Sequence, residues 1–346
     1  MKCWPIPEKN AKKQVRLKII ARIGFLVILS LVFSNLLSNR VSAQDVTIRS
    51  QTNVVLIPAL VKDAQGEVVY GLSAADFVVE DDGVPQTVHL DEVPEAQPVS
   101  LVIAIQTGRR AAYEFPRIQG LKTMIDPLFT PGTVRVAIVE FDGHVRLARN
   151  FTRDESLIAD DLDGLQPGDG GAATLDAIAY SVNLLNQEPP ERERLLLLIS
   201  ETRDHGSHAK VDKVVSAIGQ SNAVMYALAF SPGRSNVLDT FRGVNQDEMN
   251  ASPDLLAPLI MTVQAMRKNV PSTVASMTGG EYQLFTTRKK FEFHMNDFDN
   301  HLHSRYMLSI TPKNPHPGLH QLRVHLADPA KRTVLARSSY WAESSK

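Results

Sequence analysis

The sequence predicts an α/β protein in which a doubly wound, mainly parallel sheet is inserted into a smaller β-sandwich-like domain. Continuous apolar runs, such as Leu195-Leu-Leu-Leu-Ile199, are typical of strands that are buried on both faces. These runs alternate with helical segments of about 10–15 residues, which is the pattern of a parallel sheet covered by helices. Shorter strand patterns before residue 98 and after residue 304 lack such helices and indicate the second, all-β domain.

The chain begins with the pattern of a secretory signal. Seven basic residues precede an apolar run at 23–33, and Val41-Ser-Ala43 is a small-x-small cleavage pattern. The apolar run is shorter than the roughly 20 residues that a membrane-spanning helix needs. We therefore expect residues 1–43 to be a signal peptide that is cleaved after Ala43. The alternative is an uncleaved anchor, and either interpretation predicts an exported protein, periplasmic or extracellular.

Charge and cysteine content narrow the possible partners. Residues 1–43 hold eight of the 37 basic and one of the 38 acidic residues, so the remainder has a net charge of −8. This acidic balance argues against nucleic acid as a partner. Cys3 is the only cysteine, so the exported part has no disulfide and no thiol chemistry. No second long apolar run follows, and no membrane span is expected after signal cleavage.

The N-terminal β region, residues 44–97, begins with a strand at 53–62 and ends with a hairpin. Its tip contains Asp82-Gly83, and this pair supplies the positive φ angles that a tight turn needs. We interpret Glu80-Asp81-Asp82 as part of this hairpin tip. So few strands do not close a core alone. We expect them to pair with strands in residues 305–346, at 306–310, 319–326 and 334–340.

Residues 98–304 are predicted to form the inserted α/β domain. Four buried strands are expected at 100–105, 134–141, 195–199 and 223–230, with a short edge strand at 145–148 and a last strand at 281–285. Helices are expected at 111–128, 154–165, 174–185, 211–220, 255–266, 272–276 and 291–303. Residues 232–252 are rich in Pro, Gly, Ser and Asn and indicate an irregular surface excursion.

Several strings in this order carry a resemblance to a known family. They are Val55–Asp63, Gly71-Leu-Ser-Ala-Ala-Asp-Phe77, Glu80-Asp-Asp-Gly83, Leu196-Leu-Leu-Ile-Ser200, Met277-Thr-Gly-Gly-Glu281, Tyr306-Met-Leu-Ser309 and Ala336-Arg-Ser-Ser-Tyr340. Over residues 50–342 the chain resembles the von Willebrand factor A family, and within it the exported, acidobacterial-type VWFA-related proteins. The resemblance implies a Mg²⁺ site at the carboxyl ends of the strands, built from an Asp-x-Ser-x-Ser loop, a Thr and an Asp.

The residues at these positions differ from that motif. Gln106 stands at the first Asp, Gly108 at the first Ser and Arg110 near the second Ser. Ala172 replaces the Thr, with Thr174 nearby, and Glu201 replaces the last Asp. A divalent cation beside Arg109 and Arg110 is electrostatically unfavourable. We therefore expect no metal and no cofactor at this edge of the sheet, neither Mg²⁺ nor another divalent cation.

A more specific hypothesis follows from the two arginines. Arg110 or Arg109 takes the place of the cation, pairs with Glu201 and offers its guanidinium group to an acidic ligand. The alternative is two solvent-facing arginines at the start of a helix. The predicted ligand-binding rim, a degenerate adhesion site, consists of Gln106, Thr107, Gly108, Arg109, Arg110, Ala172, Thr174, Glu201 and His205.

Other groups of chemically active residues have plainer interpretations. Asp204, His205 and His208 form a possible zinc loop that lacks a fourth ligand. His294 and His301 share a helical face, whereas His303 points elsewhere, and we interpret them as structural or surface residues. Asp161, Asp163 and Asp169 lie among glycines but lack the spacing of a calcium loop. We find no nucleophile elbow, phosphate loop, dinucleotide fingerprint or His-Glu-x-x-His motif, and we expect no catalytic residues.

The function predicted from the sequence is that of an exported protein-interaction or adhesion-type module, without enzymatic activity. Its partner is a protein of unknown identity, and the rim and residues 232–252 are the expected contact surface. One alternative is a structural or assembly protein of the cell envelope that binds through the edges of the β domain. A metal-dependent hydrolase that uses the histidine loop is a further alternative.

Overall fold

The computed structural model describes residues 54–91, 98–118, 120–125, 133–230, 257–302, 304–329 and 331–343. The predicted signal peptide and the excursion at 232–252 lie outside these residues. The strands are β1 Val55–Lys62, β2 Phe77–Asp81, β3 Val84–Pro85, β4 His89–Asp91, β5 Val99–Gln106, β6 Val134–Phe141, β7 Val145–Thr152, β8 Glu193–Glu201, β9 Val224–Phe230, β10 Tyr282–Phe285, β11 Tyr306–Ile310, β12 Gly318–Leu326, β13 Thr333–Ala336 and β14 Ser339–Ala342. The helices are α1 Phe115–Ile118, α2 Leu121–Ile125, α3 Glu155–Asp163, α4 Thr174–Asn186, α5 Val211–Gln220, α6 Ala257–Lys268, α7 Val270–Thr278 and α8 Arg288–Leu302.

The central sheet has six strands in the order β10-β9-β8-β5-β6-β7. All neighbouring strands are parallel except β6 and β7, which are antiparallel. Successive residues of a strand point to opposite faces of the sheet. Leu195 and Leu197 accordingly pack in the hydrophobic cluster on one face, and Leu196 and Leu198 pack in the cluster on the other. Both faces are covered, as the apolar runs predict.

Two antiparallel sheets form the second part of the fold, in the orders β13-β1-β11-β4 and β14-β12-β2-β3. β1 lies between β11 and β13, and β2 pairs with β12, so each sheet combines N-terminal and C-terminal strands. Side chains from both sheets, among them Ile57, Val79, Leu308 and Leu322, share one hydrophobic cluster. The predicted fold class, a doubly wound sheet with a sandwich built from both ends of the chain, is confirmed.

A buried arginine connects the sandwich to the α/β layers. Arg337 is 5% exposed, and its guanidinium group donates to the backbone carbonyls of Leu56, Gly219, Ser221 and Ser339. Gly219 and Ser221 lie at the carboxyl end of α5, where carbonyl groups carry the negative end of the helix dipole. Burial lowers the pKa of Arg337 to about 10, and the guanidinium group is still charged at neutral pH.

Some element boundaries differ from those predicted. The helical stretch predicted at 111–128, with an interruption at Pro116, consists of a 3-10 turn at Ala111–Tyr113 followed by α1 and α2. Pro116 lies in the first turn of α1, where its missing N–H breaks no helical hydrogen bond. The edge strand β7 continues to Thr152 rather than ending at 148, because it follows β6 through two shifts of register. Within the described residues, no helix has the length and apolar character needed to span a membrane.

Candidate functional site: the rim of the parallel sheet

Four predicted rim residues lie where strands β5 and β8 end. Gln106 is the last residue of β5 and Glu201 is the last residue of β8, and these parallel strands are neighbours. Thr107 and Gly108 continue from Gln106 towards the loop after β6. Ligands of open α/β sheets bind at the carboxyl ends of the strands. This edge of the sheet is therefore the candidate functional site.

Gln106 and Glu201 hold each other in place. The Gln106 Oε1 atom accepts the Glu201 backbone N–H at 2.8 Å, and Gln106 Nε2 donates to Glu201 Oε1 at 3.1 Å. Gln106 Nε2 also donates to the Gly108 carbonyl at 3.2 Å. Exposure is 1% for Gln106 and 2% for Glu201. The neutral Gln106 amide thus lies beside the Glu201 carboxylate, the only carboxylate among the predicted rim residues.

Arg109 provides the positive charge that this buried carboxylate requires. Its Nε atom lies 2.7 Å from Glu201 Oε1, and its side chain is 33% exposed whereas that of Glu201 is 3% exposed. A buried carboxylate without a partner carries a large desolvation penalty, which the guanidinium group offsets. Arg109 adopts φ +56°, a left-handed conformation that is rare for residues other than glycine. Such strained backbone often marks a functional position.

Glycines pack the loops of the rim against one another, backbone to backbone. A Cβ atom on Gly108 would lie 2.0 Å from the Gly171 carbonyl oxygen, and one on Gly171 would lie 2.4 Å from Gly143 Cα. Asp169 Oδ1 accepts the N–H groups of Gly143 and Gly171, each at 2.7 Å. Hydrogen bonds from Gly171 and then Gly143 hold the pKa of Asp169 below its usual range. The loops leave no space for a serine at position 108.

The remaining rim residues have structural contacts. Ala172 and His205 exchange two backbone hydrogen bonds, at 2.7 and 2.8 Å. Thr174 is fully buried, and its hydroxyl donates to the Ala172 carbonyl at 3.4 Å. Asp204 Oδ1 accepts the Leu175 N–H at the start of α4, at 3.1 Å. Asp204 therefore caps a helix, which is a common role for aspartate.

The histidine loop does not assemble the zinc site considered from the sequence. Among the described residues, groups of three clustered metal-ligating side chains occur at Asp142–His144–Asp169 and at Asp82–His316–His320. Neither group includes Asp204, His205 or His208. The proposal of a hydrolase on this loop therefore has no support from the geometry. His301 is buried and pairs with Glu281 at 2.9 Å, a structural contact.

Burial narrows the predicted binding rim. Six of its nine residues are buried, so their side chains are not exposed to a binding protein. They are Gln106, Thr107, Gly108, Ala172, Thr174 and Glu201. Arg109 and Arg110 are exposed, and His205 is partly exposed. The exposed part of the predicted surface is therefore limited to Arg109, Arg110 and His205, and the buried Glu201 carboxylate pairs with Arg109.

The magnesium ion that the family resemblance implies does not fit these residues. The only carboxylate among the motif positions is that of Glu201, whose Oε1 atom already accepts from Gln106 Nε2 and Arg109 Nε. Mg²⁺ prefers several oxygen ligands in octahedral geometry, and a neighbouring guanidinium group repels it. At these motif positions, the cationic side chain of Arg109 neutralises the Glu201 carboxylate and leaves it unsuited to a magnesium ion.

Sequence reasoning missed two residues of this region, Tyr113 and Asp142, and interpreted Asp169 only as part of a turn before a helix. Tyr113 is 78% exposed in the 3-10 turn that follows Arg110. Asp142 and Asp169 organise the loops, and Asp142 Oδ2 accepts the Asp169 N–H at 3.2 Å. The glycines around Asp169 were the available signal, because they allow the close approach of backbones.

Comparison with known proteins agrees with this description of the fold. The family model of the von Willebrand factor type A domain matches residues 115–254. No curated protein matches the sequence. The family match and the order of the strands together define a vWA-like α/β fold with additional antiparallel sheets.

Three solved structures are similar to parts of the chain. A conserved hypothetical protein, BatB from Bacteroides thetaiotaomicron, shares 15% identity over 58% of this chain and 99% of its own, with a TM-score of 0.39. The vWF domain of the type V pili tip protein Mfa5 from Porphyromonas gingivalis shares 8% identity over 60% of this chain and 95% of its own, with a TM-score of 0.41. Proximal thread matrix protein 1 from the mussel byssus, with a zinc-occupied MIDAS motif, shares 14% identity over 64% of this chain and 49% of its own, with a TM-score of 0.43. Similarities of this size carry no argument about function.

Proposed function

We propose that this protein is an exported, non-enzymatic binding module that uses Arg109, in place of a metal ion, to bind an acidic group of a protein partner. The pair between Arg109 and buried Glu201 is the observation that carries this proposal. Arginine has five N–H donors, and Nε is the one engaged with Glu201. Carboxylates bind guanidinium groups through two parallel hydrogen bonds, so the terminal nitrogens suit an aspartate, a glutamate or a C-terminus.

The residues around Arg109 support a protein partner. Arg110 is exposed, and Tyr113 exposes 78% of its surface four residues beyond Arg109. Arginine and tyrosine are enriched among residues that dominate the energy of protein interfaces. The Arg109 N–H donates to the Asp169 carbonyl at 2.8 Å and glycine contacts pack the same loop, so little conformational entropy is lost on binding. Export is supported by the signal pattern of residues 1–43.

Docking through the edges of the β domain, the alternative role in envelope assembly, is less well supported. The edge strands of the two antiparallel sheets are β3, β4, β13 and β14, and they contain two, three, four and four residues. Short edge strands are a device that limits pairing with other chains. The exposed arginines of the rim are the stronger candidate surface.

Selection of peptides tests the proposal. A display library of random peptides is selected on the immobilised protein, and the binding of selected peptides to variants is measured by interferometry. We expect enrichment of Asp or Glu, and a loss of about 10- to 100-fold in affinity for Arg109→Ala, as for loss of a charged hydrogen bond.

Arg288→Ala is the matched control for this experiment. Arg288 is exposed on α8, and its Nε atom also lies 2.7 Å from a glutamate oxygen, that of Glu292. Its replacement removes the same kind of ion pair outside the rim, and we expect unchanged binding. Peptides without acidic residues, or equal affinity for wild type and Arg109→Ala, would contradict the proposal.

A further inference from the structure

Two aspartates and two histidines meet inside the β-sandwich, outside the rim. Asp81 and Asp82 lie at the end of β2 and the following turn, His320 lies on β12, and His316 lies just before β12. We call them the aspartate–histidine cluster. His320 Nδ1 is 3.1 Å from Asp81 Oδ1 and 2.8 Å from Asp82 Oδ2. His316 Nε2 is 3.1 Å from the same Asp82 oxygen.

Three members of the cluster are fixed by hydrogen bonds from their other polar atoms. His320 Nε2 donates to the His316 carbonyl at 2.7 Å. Asp82 Oδ1 accepts the Gln321 N–H at 2.9 Å, and Asp81 Oδ2 accepts the Tyr340 hydroxyl at 2.9 Å. The outer atoms of His320, Asp81 and Asp82 are thus anchored, while His320 Nδ1 faces one oxygen of each carboxylate. Metal ligands in proteins are oriented in this way by their outer contacts.

We propose that the aspartate–histidine cluster binds one zinc ion. Imidazole nitrogens suit Zn²⁺ and other late transition metals, whereas Mg²⁺ and Ca²⁺ prefer oxygen alone. Asp82, His316 and His320 supply three ligand atoms within 4.8 Å of one another. Water fills the fourth position of a tetrahedral zinc site, and Asp81 beside His320 remains an outer contact. The site is distinct from the rim and leaves the metal-independent binding proposed there unchanged.

Access and ring orientation set the conditions for binding. The side chains of His320 and Asp81 are 0% and 3% exposed, whereas those of His316 and Asp82 are 26% and 31% exposed, so one side faces solvent. The rings of His316 and His320 are stacked, with centroids 3.8 Å apart and planes at 19°. A metal ion lies in the plane of each ligating ring, so zinc binding requires the His316 ring to rotate. Its position before β12 and its partial exposure permit this rotation.

Zinc would serve the sandwich as a cross-link. It would join the β2–β3 hairpin to β12 and to the segment before it, elements more than 230 residues apart in sequence. The chain has one cysteine, Cys3, so no disulfide within the chain provides such a connection. Because the unfolded chain does not hold these ligands together, zinc binding would contribute directly to folding free energy.

Without zinc, the aspartate–histidine cluster is a hydrogen-bonded network with a proton at the position of the metal. A proton on His320 Nδ1 lies between Asp81 Oδ1 at 3.1 Å and Asp82 Oδ2 at 2.8 Å. This proton and a zinc ion compete for the same position. Direct metal titration distinguishes a zinc site from a purely hydrogen-bonded network.

The experiment compares zinc binding by the wild type and two variants, one of a histidine ligand and one of an aspartate ligand. The purified protein is stripped with a chelator and titrated with ZnCl₂ by calorimetry, and Co²⁺ absorbance reports the coordination geometry. We expect one equivalent of zinc, tetrahedral cobalt bands and a rise in the thermal midpoint with zinc concentration. His316→Gln replaces a partly exposed ligand outside the strands and should weaken zinc binding at least tenfold. Asp82→Asn, which keeps an oxygen for Gln321, should do the same.

His144→Gln is the matched control. His144 is an exposed histidine beside two aspartates, with Nδ1 at 3.9 Å from Asp142 and 3.6 Å from Asp169. This substitution should leave zinc affinity unchanged. The proposal is overturned if zinc shows no saturable binding, if both ligand variants bind as the wild type does, or if His144→Gln alone reduces affinity.

Discussion

Individual residues define the rim more than secondary structure does. Arg109 has a left-handed backbone conformation, which no residue pattern in this loop predicts, and Gln106 places a neutral amide beside the Glu201 carboxylate. Together they surround the buried Glu201 carboxylate with an amide donor and a cationic side chain. Position 108 requires glycine, because the backbone of Gly171 occupies the space that a side chain would need.

Replacement of Gly108 by alanine tests this packing. The added Cβ atom would meet the Gly171 carbonyl and Asp142, both of which are held by the surrounding loops. We expect the free energy of unfolding to fall by about 2–3 kcal/mol, as for overpacked sites. Urea denaturation followed by circular dichroism measures it.

Gly170→Ala is the control for that substitution, because a Cβ atom on Gly170 meets no atom within 4 Å. It should change stability by less than about 0.5 kcal/mol, as surface substitutions do. Equal urea midpoints for the two variants would show that the rim loops are looser than the structure indicates.

At the scale of elements, local sequence patterns predicted individual strands and a hairpin. They did not predict contacts between residues far apart in the sequence. The apolar runs predicted β5, β6, β8 and β9, because burial on both faces leaves a plain sequence signature. The Asp82-Gly83 pair predicted its hairpin, and both residues have the expected positive φ, +48° and +78°. The contact between Asp81 and His320 joins residues 239 positions apart, and no local periodicity encodes it.

The connection between the β13–β14 corner and α5 depends on the buried Arg337. Arg337→Met keeps the apolar stem but leaves the carbonyls of Leu56, Gly219, Ser221 and Ser339 without this donor. Unpaired buried polar groups are costly, so we expect a loss of about 3 kcal/mol in unfolding free energy. Thermal and urea denaturation measure this loss.

The exposed variant Arg288→Met provides the comparison, since its ion pair with Glu292 lies at the surface. Surface pairs contribute little, and we expect a change below about 1 kcal/mol. Arg337→Lys should behave like Arg337→Met, because one ammonium group does not reach all four carbonyls. Similar losses for Arg337→Met and Arg288→Met would show that the corner is held by apolar packing instead.

In the whole molecule, strands from residues 55–91 and 306–342 form one sandwich. The vWA-like layers lie between these two segments in the sequence. We propose domain limits of 44–97 and 305–346 for the sandwich and 98–304 for the inserted layers. A buried charged group connects the two. Glu281, just before β10, accepts from Lys62 of β1 at 2.8 Å and pairs with His301 of α8 at 2.9 Å.

This connection predicts how the stability of the whole molecule depends on pH. Burial alone would raise the pKa of Glu281, but hydrogen bonds from His301 and Lys62 lower it to about 2, from a usual value of 4.5. The charged carboxylate therefore stabilises the folded state above pH 4.5, by about 3 kcal/mol, and this contribution disappears as the pH falls towards 2. Glu281→Gln should lose most of this stability at pH 7 and show a smaller further loss between pH 4.5 and 2 than the wild type. Glu292→Gln, at the exposed pair on α8, should keep the wild-type profile, and parallel profiles for all three proteins would mean that Glu281 does not couple the two parts of the fold.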